Sequence, residues 1–245
     1  MDAGQDRGGN QENRFRILSP QSRLACVACH GFHLPGAKRK TQRTRREGNQ
    51  NVERNYLASH SKKGVKTNAR IAFLDESGIS ERPSVRRTWA LRGQTPIIVS
   101  TGSWKARSVI GVITCRPDGN DPKLYIRIFP GSVRKEDALV FLKELRCYVR
   151  GSIILVWDRL AAHRAKIVKE YIACHPWISA EYFPAYAPEL NPVEYVWATA
   201  KNHDLANLYP AGLADLDARI RRMKRRLQRR VDTLKGFLKK SSLFC

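Results

Sequence analysis

The chain has 245 residues, of which 42% are hydrophobic, enough for one globular core. It carries 45 Lys and Arg against 22 Asp and Glu, a formal charge of +23. That balance points to a polyanion partner, nucleic acid first, with a solubilising surface or a basic tail as the plainer reading. No apolar run nears the ~18 residues of a membrane span, and the opening MDAGQDRGGN has no secretory character, so a cytoplasmic, nucleoid-associated protein with no membrane partner is expected.

The charge is uneven. Residues 1–67 carry 14 basic and 5 acidic side chains, and residues 219–240 carry 11 and one, which leaves only +4 for the rest. Residues 1–67 are rich in Gly, Asn, Gln, Arg and Lys without a sustained period, and read as a basic, mostly unstructured segment. Within it Cys26, Cys29, His30 and His33 form C-x-x-C-H-x-x-H. Their spacing is too tight for the usual two-pair zinc site, and chance is the preferred reading.

Order is expected from Ala69. ARIAFLDESG reads as a buried strand ending at Asp75, and SVRRTWALRGQTPIIVS as a hairpin turning at Arg92–Gly93. Two more strands follow, joined by RPDGNDP. Ala138, Phe141, Leu142, Leu145 and Val149 recur with a helical period. GSIILVWD is a second fully apolar strand ending at an aspartate, Asp158. HRAKIVKEYIACH reads as a helix, WISAEYFP as a short strand, and the chain as helical again from Asn191. Leu213, Leu216, Ile220, Met223, Leu227, Val231, Leu234 and Leu238 predict one amphipathic helix with an opposite cationic face, its break, if any, near Gly236. The order predicts an α/β fold, a mixed sheet with helices on both faces.

Two buried strands that each end in an aspartate can bring Asp75 and Asp158 together on a rigid platform. In YFPAYAPELNPVEYVW, Asn191 suits an N-cap and Pro192 the first helical position, which would fix Glu194 in the first turn. Three hard oxygen donors suit Mg²⁺ or Mn²⁺, and a pair of such ions can activate water and stabilise a leaving oxygen at a phosphodiester. Glu76 and Glu189 read as solvated carboxylates, His163 as a structural residue at a helix start, with orienting a ligand or touching substrate as the alternative, and Trp157 and Trp197 as core. Trp89 and Trp104 could meet DNA or a second subunit.

FLDESG, VWDRLAAHR and YAPELNPVEYVW, in this order, resemble the three motifs of the DDE transposases, more narrowly the mariner superfamily and its bacterial insertion-sequence branch. The resemblance covers roughly residues 65–240, and P-x-L-N-P-x-E is its most specific element. It implies a ribonuclease-H-like catalytic domain over 68–245, with Asp75, Asp158 and Glu194 as catalytic metal ligands for two Mg²⁺ or Mn²⁺ ions. It further implies cut-and-paste DNA transposition, with transposon ends and target DNA as partners and a homodimer as the working unit. Asp158 and Glu194 are separated by 35 residues, which suits the family. Two departures stand out. Arg159 follows the second aspartate where the family commonly has Asn or Gly, and residues 1–67 show no pair of periodic helices that could form the usual helix-turn-helix modules. The expectation is therefore a truncated chain, with a DNA-binding but inactive remnant as the alternative to an active endonuclease.

Overall fold

The computed structural model describes residues 64–65, 68–82, 85–89, 97, 105–184, 187–241 and 244. The Cys26, Cys29, His30, His33 cluster, the turn at Arg92–Gly93 and Trp104 lie outside them. Residues 85–89, where the first arm of that hairpin was expected, form no strand, and Trp89 is fully exposed.

A five-stranded sheet runs in the order β3-β2-β1-β4-β5. Its strands are β1 (Arg70–Ser80), β2 (Ala106–Cys115), β3 (Lys123–Pro130), β4 (Ile153–Trp157) and β5 (Ile178–Tyr182). The first three pair antiparallel, while β1–β4 and β4–β5 pair parallel. The helices interleave with the later strands: α1 (Lys135–Tyr148), α2 (Lys166–Ala173), α3 (Pro192–Thr199), α4 (Leu213–Gln228) and α5 (Val231–Lys240). Antiparallel neighbours need only a turn, and parallel neighbours need a crossover, which α1 and α2 supply. The expected mixed sheet with helices on both faces is what forms.

The strand period of two divides the core. Ile71 and Phe73 of β1 join Val109 and Ile113 of β2 under α3, α4 and α5. Ala72 and Leu74 join Ile110, Val112 and Leu155 under α1 and α2. All five apolar positions predicted for α1 and its C-terminal boundary are buried.

Three expectations need correction. β1 does not end at Asp75 but continues to Ser80, because β2 stays paired with it along that length (Ser80 opposite Ala106), whereas its pairing with β4 stops at Phe73. Asp75 thus lies two residues past the end of the parallel ladder and inside the antiparallel one. The C-terminal helix is two helices, and the break falls at Arg229–Arg230, with Gly236 inside α5. Leu216, Ile220, Met223, Leu227, Leu234 and Leu238 are buried as expected, but Val231, just past the break, is exposed.

α4 also closes an edge of the sheet. β3 is an edge strand whose outer carbonyls have no strand partner. Lys224 Nζ donates to the Ile126 carbonyl at 2.9 Å and Gln228 Nε2 to the Leu124 carbonyl at 2.8 Å. The two side chains lie one helical turn apart and meet alternate residues of the strand. Burial lowers the Lys224 ammonium below its ordinary value. An Arg107–Asp217 ion pair ties α4 to β2, and Arg226–Asp204 ties it to the π-helical turn Ala200–Asp204 that continues α3.

Candidate active site

The parallel register of β1 and β4 carries a constant offset of 83 residues, from Arg70 opposite Ile153 to Phe73 opposite Val156. Carried on by two residues, it sets Asp75 level with Asp158, just beyond Trp157. Asp75 follows Ile71 and Phe73 on the α3 side of the sheet, as the alternation requires. The two aspartates that the sequence placed at neighbouring strand ends do lie side by side.

Glu194 reaches the same place through local chemistry. Asn191 caps α3, its Oδ1 accepting from the Val193 N–H at 3.1 Å, and Pro192 opens the helix. The other end of the Asn191 amide donates to the Leu74 carbonyl at 3.2 Å, a buried bond to the residue before Asp75. One side chain therefore starts the helix and fastens it to the strand that bears the first aspartate. Asp75, Asp158, Asn191 and Glu194 line one open cleft of about 190 Å³, closed on its other side by Phe183, Pro184, Ala187 and Pro188. Neither Lys nor Arg lines it among the described residues.

Burial, then the charge of Glu194 and of Glu76, pushes the Asp75 carboxyl up to about 8, against a smaller opposing effect of a hydrogen bond from Trp197. That bond runs from the Trp197 indole N–H to Asp75 Oδ2 at 2.9 Å. Trp197 is buried, as expected of a core residue, but it also steers a carboxylate. Room for its ring is made by Gly111, the residue opposite Asp75 in the β1–β2 ladder. A Cβ there would stand 2.8 Å from the Trp197 ring. An isolated glycine inside a strand is the sequence signal of such a close approach.

Asp158 is restrained from the other side. Its Oδ1 accepts from the Leu160 backbone N–H and faces His163 Nδ1, both at 2.9 Å. His163 Nε2 lies 2.6 Å from Glu76 Oε1. The imidazole is buried and stacks on Trp157, with centroids 4.2 Å apart and planes 11° from parallel. The His163 bond holds the Asp158 carboxyl below the usual carboxylate range. Burial works to lower the His163 pKa, but the bonds to Asp158 and Glu76 outweigh it and raise the ring to about 9. His163 is thus no mere helix-start residue, and Glu76 is not solvated. Glu76 follows Asp75 on the strand and so faces the opposite side, towards His163. Glu189 is exposed, as expected.

Glu76, Asp158 and His163 also bring their donor atoms within 4.8 Å of one another, close enough to hold a metal ion. Their geometry favours a proton bridge. Each ring nitrogen already faces a carboxylate oxygen, and a metal would need one of them stripped of its proton. Asp75, Asp158 and Glu194 are spread more widely around their cleft, and their oxygens are the donor type a hard divalent cation takes. Each aspartate has one oxygen tied back and the other without a hydrogen-bond partner among the described residues, and burial, then the neighbouring carboxylates, raise Asp75. Arg159, beside this cleft, lies over the Tyr182 ring, 5.7 Å from its centroid, and makes no ion pair among the described residues.

The sequence pattern described as DDE superfamily endonuclease matches residues 70–216, more than half of the chain and all of the cleft. The chain belongs to that family. Over 148 residues it is 24% identical to the insertion element IS630 uncharacterized 39 kDa protein of Shigella sonnei, a match covering 57% of this chain and 41% of that protein. The chain thus spans less than half the length of this curated relative. Among solved structures, a pre-cleavage Mos1 transpososome shares the fold with a TM-score of 0.56 and 15% identity, over 90% of this chain and 69% of the other. The mariner Mos1 paired end complex with Mg gives 0.56 and 14%, over 91% and 68%. The DDE family and the ribonuclease-H-like fold implied by the three motifs are both met.

Proposed function

We propose that this member of the DDE endonuclease family is the catalytic part of a cut-and-paste DNA transposase. Residues 68–245 form its catalytic domain and residues 1–67 a basic segment. The observation that carries the reading is the convergence of Asp75, Asp158 and Glu194 on one cleft that no Lys or Arg lines among the described residues. Bound Mg²⁺ or Mn²⁺, two ions as in two-metal phosphodiester chemistry, would lower the pKa of water and stabilise the leaving oxygen. In this reading Asp75 and Asp158 each present the oxygen that is not tied back, and Glu194 closes the ligand set from α3. The reaction is hydrolysis at a transposon end, followed by attack of the freed 3′-hydroxyl on target DNA. Mos1 structures described as a paired-end complex with left transposon end and a strand transfer complex support the reading by likeness of fold, and with it DNA ends as substrate; a homodimer across the ends remains part of the proposal.

The second reading, a remnant that binds DNA through charge alone, rests on Arg159, a cation beside the ligand set where Asn or Gly was expected. One experiment separates the two: Mn²⁺-dependent nicking of a supercoiled plasmid that carries the gene's own flanking repeats, wild type beside Asp158→Asn. The transposase reading expects nicking by wild type, at least ~100-fold reduced in the variant, with DNA affinity retained by both. No nicking by either, with binding intact, favours the remnant.

A further inference from the structure

We propose that His163 is a positioning residue that sets the orientation of Asp158 and, through Glu76, the spacing between Asp158 and Asp75. The proposal rests on the reading of Asp158 as a metal ligand. Asp158 is the first residue after β4, its side chain is half exposed, and no ladder bond holds it. Left to the Leu160 N–H alone, its carboxylate could turn about both side-chain torsions. His163 removes that freedom. It approaches from the α1/α2 side, where Trp157 provides a flat surface for the ring, and its Nδ1 meets the same Oδ1 that Leu160 holds. That fixes one oxygen twice over and leaves the other to the cleft.

The far side of the ring is secondary for the metal, because it meets Glu76, which is not one of the three proposed ligands. Nε2 bonds Glu76, the neighbour of Asp75 on β1. A side chain 1% exposed thus joins the end of β4 to β1 at the level of the two aspartates, just where the β1–β4 pairing has stopped. The sheet's own hydrogen bonds do not reach this level between those strands, and the imidazole takes their place. Groups that orient ligands in this way commonly change metal affinity ~10–100-fold when lost.

The test separates the two bonds. Asn at 163 puts its amide nitrogen about where Nδ1 lies, within reach of Asp158. Gln puts its own about where Nε2 lies, within reach of Glu76. Both variants lose the stack on Trp157, so any purely structural cost is shared. Mn²⁺ affinity is read by electron paramagnetic resonance, alongside Tm. His163→Asn is expected within about threefold of wild type, and His163→Gln weakened about tenfold or more, at similar Tm. Equal weakening in both, or unchanged affinity in His163→Gln, overturns the proposal. Should neither variant fold, the ring N–H signals of the wild-type protein decide. A hydrogen-bonded Nδ1–H that persists when Mg²⁺ saturates the site supports the proposal, and its loss on Mg²⁺ addition overturns it. Wild type and Asp158→Asn binding Mn²⁺ equally would overturn the reading of Asp158 itself, and the proposal with it, an outcome distinct from the divergence of the two His163 variants.

Discussion

Asp75 is the residue whose protonation the surroundings change most for chemistry. A carboxyl ordinarily loses its proton near pH 4; burial and the nearby Glu194 keep it on this one until about pH 8 in the metal-free protein. Folded protein therefore binds more protons than unfolded protein between those values, and Asp75 lowers stability as pH rises through that window. His163, raised to about 9, acts with the same sign between about 6.5 and 9. A divalent ion must displace the Asp75 proton. Its affinity should thus rise about tenfold per pH unit up to about 8 and then level, with about one proton released. Calorimetry of Mg²⁺ binding in buffers of different ionisation heats measures that proton directly. An affinity flat from pH 6 to 8 would remove Asp75 from the ligand set.

At the scale of elements, the site stands on β1, the end of β4 and the first turn of α3, and its fit depends on single residues. Gly111 is the most exacting. A methyl group there meets the Trp197 ring at 2.8 Å, in a wall shared with Val193 of α3. Gly111→Ala should cost about 1–3 kcal/mol by overpacking and push Trp197 off Asp75. Thermal unfolding together with a shift of the indole N–H resonance checks both consequences. The first turn of α3 was legible from Asn-Pro-x-Glu because capping is local, three residues deciding one conformation. The strand and helix succession was legible for the same reason. The Trp197–Asp75 and His163–Glu76 contacts were not, since their partners lie 122 and 87 residues apart and no periodicity links them. Gly111 and the alternation of Asp75 with Glu76 were the only local traces. The break at Arg229–Arg230 hid because the apolar spacing from Leu227 to Val231 and Leu234 runs on with a helical period, although the backbone turns there.

For the whole molecule, the charge excess of the described part gathers on α4 and α5, and the structure divides that charge by role. Arg226 is paired with Asp204, Arg219 with Asp215, and Lys224 with a strand carbonyl. Arg221, Arg222, Arg225, Arg229 and Arg230 are exposed and unpaired among the described residues. As phosphate contacts, they should set the salt dependence of DNA binding and not its sequence preference. Replacing Arg221, Arg222 and Arg225 with Gln should flatten the log–log salt slope by up to about 0.9 per lost contact, with the Tm kept within a few degrees. An unchanged slope in fluorescence anisotropy titrations would move the phosphate grip elsewhere on the chain. No helix among the described residues is long and apolar enough to cross a membrane.

The closure of the β3 edge has a consequence in time. Lys224 and Gln228 follow the carbonyls they cover by 98 and 104 residues. At synthesis rates of about 5–20 residues per second, the nascent strand waits about 5–20 seconds before its guard emerges from the ribosome. Through that interval β2 and β3 can already pair, yet the outer row of β3 is open to any extended chain nearby. α4, made about a hundred residues later, is therefore the element that ends the vulnerable period, and a polypeptide arrested before residue 224 would leave translation with an uncovered strand.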